Sequence, residues 1–166
     1  MNTRALKAGV GGGVAGGVVM AMWEMILASL QGNSFFAPLH MIGHTVFRSI
    51  PLMGGFSTTA VLGGATVHMV VSMMLGATIG VLMYFTRNMD NSVVVVLGGA
   101  FGLVVGIINE FVIWKALDPM VTSLLTPWIF LLGHVMFGTV TVLVAGQLGA
   151  WTNSSNAKNK TLHTTA

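Results

Sequence analysis

The chain has 166 residues, of which 54% are hydrophobic and only 7% charged, with a formal net charge of +3 and no cysteine. A soluble domain carries about a quarter of its residues charged; with a mean hydropathy of +0.85, this composition points to a bilayer as solvent. Disulfides, thiolate metal sites and cysteine nucleophiles are excluded, and the seven Lys and Arg residues are scattered, which excludes a nucleic-acid patch.

Residues 1–7 are a short basic leader with Arg4 and Lys7. The first apolar run, residues 8–30, is long enough to span at about 20 residues per crossing. It exceeds a signal-peptide core of about 7–15 residues and carries Glu24, so it is expected to be a retained helix. Residues 31–59 form the longest connection. Within it Pro38 can open a helix and Pro51 can end one. The stretch between them predicts a short interfacial helix with His40 and His44 one turn apart on one face. Residues 60–85 form the second span, with His68. A polar turn with Arg87 and Asp90 leads to the third span, residues 93–114, with Glu110. Lys115 to Thr126 reads as a loop, with Asp118-Pro119 as its turn signal. Residues 127–150 are the fourth span, with Pro127 in its first turn and His134 inside. Trp114, Trp128 and Trp151 mark interfaces. The tail, residues 152–166, is polar and expected to be disordered.

The fold class expected is therefore an all-α membrane protein with four transmembrane helices. Arg4, Lys7, Arg87, Lys158 and Lys160 fall on one side, and Arg48 and Lys115 on the other. This bias places both termini in the cytoplasm and the protein in the cytoplasmic (inner) membrane, with the His40/His44 loop outside. The sequons at Asn153 and Asn159 then face the cytoplasm and stay unmodified.

Two spans match each other at one offset. Gly12, Gly13, Gly16, Val18, Val19 and Glu24 correspond to Gly98, Gly99, Gly102, Val104, Val105 and Glu110. The spans that carry them run in the same direction, so the chain reads as two parallel-repeat helical hairpins. A second match pairs Gly43-His44-x-x-Phe47 with Gly133-His134-x-x-Phe137.

Glu24, His68, Glu110 and His134 all fall near the outer ends of their spans, roughly 6–12 Å deep at 1.5 Å rise per residue. Each shares a helix face with small residues, such as Gly13 and Gly17 below Glu24 and Gly102 and Gly106 below Glu110. Small residues mark close helix approach in lipid, so the four groups should face neighbouring helices. Facing lipid would cost on the order of 3 kcal/mol or more each.

The four side chains form a candidate Glu/His layer that binds a cation or protons. As a metal site they offer oxygen and imidazole donors, suited to a transition metal. A b-type haem between His68 and His134 is a variant. His40 and His44 are secondary candidates that would cap the layer or bind a cation. His163 reads as solvated, and the methionines near His68, Met69 and Met73, read as packing filler. The alternative is an accessory or structural subunit in which Glu–His pairs only staple the bundle. The rows Gly12–Gly16, Gly13–Gly17, Gly76–Gly80, Gly98–Gly102 and Gly102–Gly106 exceed what one bundle needs, which leaves room for a homo-oligomer or a larger membrane complex. No catalytic-triad spacing or phosphate loop is present, and the reading leans away from an enzyme.

The Gly-rich starts of the first and third spans, Gly43-His44, His68, Pro127-Trp128 and Gly133-His134-x-x-Phe137 together resemble small four-helix inner-membrane proteins of the YagU type. The resemblance covers most of the chain. It implies a multipass membrane protein and no settled biochemical activity.

Overall fold

The structure is a computed structural model and describes residues 3–49, 52, 56–86 and 88–150. Every regular element among them is helical. The order is α1 (Thr3–Leu30), α2 (Ala37–Val46), α3 (Thr58–Phe85), α4 (Asn91–Ile108), α5 (Trp114–Leu117), α6 (Pro119–Thr122) and α7 (Pro127–Ala145). A π turn, Asn109–Ile113, joins α4 to α5, and a second one, Gly146–Ala150, extends α7. Four helical stretches are long and apolar enough to cross a membrane: Thr3–Leu30, Thr58–Phe85, Asn91–Leu117 and Pro127–Ala150. Arg87, Trp151, the two sequons and the 152–166 tail lie outside the described residues.

The helix boundaries differ from expectation where no residue stops the helix. The leader joins α1, because Thr3, Arg4, Ala5, Leu6 and Lys7 include nothing that breaks a helix. The third span runs on to Leu117 through the π turn. The expected 115–126 loop therefore contains α5 and α6, with Pro119 at the start of α6 where its missing N–H costs nothing. Ser57 caps α3 by accepting from the Ala60 amide at 3.3 Å.

Helix α1 is central and packs on α3 along one face and on α7 along another, while α4 packs on the far side of α7. Small residues set these crossings. A Cβ on Gly9 would strike the Gly76 carbonyl, and one on Gly76 would strike the Gly9 carbonyl. Gly12 and Gly16 meet Thr141 and Phe137 of α7, Gly98 meets Gly138, and Gly102 meets the His134 carbonyl. With little hydrophobic drive between helices in lipid, such backbone-to-backbone approach supplies the packing energy. All five Gly-x3-Gly rows thus face helices of this same chain.

The two halves are not packed alike. A parallel repeat that closed into a ring would place α4 on α3 as α1 lies on α7, but α3 and α4 share no extended contact. At one end of the bundle α2 covers the space between them. This helix lies against α3, with the Leu39 carbonyl seated over Gly64. Ala37, Leu39, His40, Met41 and Gly43 are buried, so α2 is packed against the bundle.

Candidate functional site

A cavity of about 300 Å³ lies under α2, between α3 and α4. Its polar lining includes Glu24 from α1, His68 and Ser72 from α3, Asn109 from the π turn and His134 from α7. Three of the four residues expected in one layer therefore share one cavity. The fourth, Glu110, is buried at 4% exposure but is not part of this lining.

Each side chain is placed by a local device. Gly133 leaves room for the Glu24 carboxyl, whose Oε1 lies 3.2 Å from where a Gly133 Cβ would be. This puts the carboxyl beside the turn that carries His134. Gly106 leaves room for the His134 ring, since a Cβ there would be 2.9 Å from the His134 Cβ. His134 Nδ1 donates to the Phe130 carbonyl at 2.9 Å, one helical turn back. His68 Nε2 donates to the Gly17 carbonyl at 2.9 Å, across the α1–α3 crossing. In a neutral imidazole one nitrogen donates and the other accepts. These two bonds therefore leave His134 Nε2 and His68 Nδ1 as acceptors.

Glu–His stapling is not what the geometry contains. Neither Glu24 nor Glu110 is ion-paired among the described residues, and both histidines bond to backbone carbonyls instead. Glu24 Oε1 and Glu110 Oε2 are buried with no hydrogen-bond partner. Lys115, the nearest base to Glu110 in sequence, instead holds its ammonium 5.7 Å from the Phe111 ring centroid. Nor do three or more His, Asp or Glu side chains stand close enough to hold a metal ion among the described residues.

Glu24 also lines a second, smaller cavity of about 50 Å³ with Gln31, Asn33 and Thr126. Two of these, Gln31 and Thr126, are joined by a 3.2 Å hydrogen bond from Gln31 Nε2 to Thr126 Oγ1. Glu24 thus lines both this small cavity and the larger one.

The two secondary candidates go separate ways. His40 is 2% exposed, its Nε2 is unpartnered, and it lines a different cavity with Asn33, Ser34 and Leu52. His44 Nδ1 lies 2.6 Å from Asp118 Oδ2, and Arg48 Nη1 lies 2.8 Å from the same oxygen. Arg48 Nη2 also donates to the Leu117 carbonyl. Asp118 is fully buried. Burial by itself would raise its carboxyl, but the hydrogen bonds and charges of His44 and Arg48 outweigh that and hold it below the usual aspartate range. This triad pins α2 to the segment between α5 and α6.

Sequence reasoning missed Asp118, Asn109 and Trp114. Asp118 is one of only four acids, a signal that its reading as a turn residue absorbed. Asn109 stands next to Glu110 in an apolar run, and the π turn brings it to the cavity; such turns recur at functional sites. Trp114 was expected at an interface, but it is 7% exposed, lines the cavity and leaves its Nε1–H unpartnered. Trp128 is 58% exposed.

Comparison with protein-family models, curated proteins and solved structures finds no match to this chain.

Proposed function

We propose that this is a multipass protein of the cytoplasmic membrane that binds a proton or a cation at Glu24, within the cavity that Glu24 shares with His68 and His134. One observation carries the reading. A carboxyl in a membrane span is buried without a basic partner among the described residues, has an unpartnered oxygen, and belongs to a residue that lines two cavities. A bare carboxylate in such a place is strongly disfavoured, so the group takes up either a proton or a positively charged partner. Gln31, Asn33 and Thr126, which line the smaller cavity with Glu24, supply polar groups for exchange with the aqueous side at the α2 end. The excess of basic residues at the opposite end makes that side extracytoplasmic. The absence of a three-ligand cluster among the described residues weighs for a proton or a weakly coordinated cation over a tightly held transition metal. The likeness to YagU-type proteins agrees with a multipass chain and adds no activity.

The test is infrared difference spectroscopy between two pH values, with elemental analysis, on untagged protein in detergent. A carboxyl C=O band that responds to pH and disappears in Glu24→Gln supports the reading, and so does a stoichiometric cation lost in that variant. Folded protein with neither would overturn it.

A further inference from the structure

Resting on that reading of Glu24, we infer that the cation is organic: a protonated amine with an apolar body, entering from the bilayer between α3 and α4. Three features of the cavity point to this class.

The first is the balance of donors and acceptors. His68 Nδ1 and His134 Nε2 are left as acceptors by the bonds their other nitrogens make, and Glu24 adds its carboxyl to the lining. Among the described residues no lysine or arginine lines the cavity. The donors of the lining belong to Ser72, Asn109 and Trp114; all are neutral and cannot offset a carboxylate, and an indole can also attract a cation. A ligand that satisfies this floor must donate several hydrogen bonds and bring positive charge. An ammonium group, with three donors and no acceptor, does both.

The second feature is size. About 300 Å³ is roughly ten times the volume of a water molecule and at the lower end of small-molecule sites. A bare ion would leave most of it empty. The walls are apolar, from Val67, Val71, Val105, Ile113 and Leu117, and suit a ring or short chain.

The third is access. Helices α3 and α4 share no extended contact. Val71 and Ile113, one from each side of the gap, are both lining residues and substantially exposed. An amphiphile held in the bilayer can therefore reach the floor head first with its apolar part still in lipid.

The experiment is equilibrium binding of radiolabelled phenethylamine to the full chain in detergent, with phenethyl alcohol as the uncharged isostere and Zn²⁺ as a competing ion. The inference expects saturable binding of one amine per chain, no displacement by the alcohol, and at least tenfold weakening in Glu24→Gln. Val105→Phe, which fills the cavity and leaves Glu24 untouched, should weaken it as much and serves if Glu24→Gln does not fold. Equal competition by the alcohol, wild-type affinity in either folded variant, or displacement by equimolar Zn²⁺ would overturn the inference. If amine binding fails while the Glu24 carboxyl band still titrates, the organic cation is lost and proton binding stands.

Discussion

Replacing Asp118 by Asn removes the charge that holds α2 in place while keeping the shape of the side chain. The carboxylate is fully buried and takes His44 at 2.6 Å and Arg48 at 2.8 Å on one oxygen. Removing one partner of a buried ion pair costs about 3–5 kcal/mol, whereas exposed pairs contribute about 0–1 kcal/mol. Arg48 is 53% exposed and can recover hydration, so the expected loss lies between these limits, at about 2 kcal/mol. The loss should be local. Only α2 and the α5–α6 segment depend on the triad, whereas α3 is held along its length by α1. Local opening is read by amide hydrogen exchange, and about 2 kcal/mol corresponds to roughly 30-fold faster exchange. Amides of Met41–Val46 should speed up by that factor in Asp118→Asn, with those of Ser72–Gly80 unchanged. The pH dependence follows from the depressed carboxyl of Asp118. A carboxyl with a lowered folded value stabilises above its unfolded pKa of about 3.9 and loses that contribution as pH falls through the folded value. The difference between wild type and variant should therefore be constant near neutrality and vanish in strong acid. Unchanged α2 exchange at pH 7, or acceleration spread equally over α1 and α3, would refute the latch.

Other consequences can be checked by thermal unfolding in detergent. Gly102→Ala forces a methyl onto the His134 carbonyl and should destabilise by about 1–3 kcal/mol, the range for overpacking; Gly11→Ala, which meets only the flexible end of Leu148, should cost clearly less. Thr141→Val should be neutral or stabilising by up to about 1 kcal/mol, because the Thr141 hydroxyl is buried without a partner and its removal relieves a desolvated group. Trp23→Phe loses the 3.0 Å bond from Nε1 to the Ile129 carbonyl and should cost about 1 kcal/mol. Gly149→Ala should destabilise by about 1–3 kcal/mol, since Gly149 has φ 93°, a region an L side chain rarely adopts, and a Cβ there would meet the Arg4 guanidinium.

Local composition determined the four helices. Runs of some twenty apolar residues in lipid have no alternative to the helix, because each backbone group must find its partner within the segment. Segregation of charge also placed Glu24, His68, Glu110 and His134 at interior positions, since lipid-facing positions are costly for ionisable groups. Three of these four indeed line one cavity. Tertiary structure alone decided which helices touch. Glycine rows say that some backbone approaches closely, but Gly12 against Thr141 and Gly13 against Ser72 lie on neighbouring faces of one helix and meet different partners. Periodicity cannot choose between those partners, and so it suggested a symmetric pair of hairpins where the packing leaves α3 and α4 apart. It could not foresee the π turn at Asn109–Ile113, whose register shift carries Asn109 to the cavity that Glu110 does not line. Nor could it join Asp118 to His44, 74 residues away. Contacts between residues so distant in sequence exist only once the helices between them are packed, and no local pattern records them.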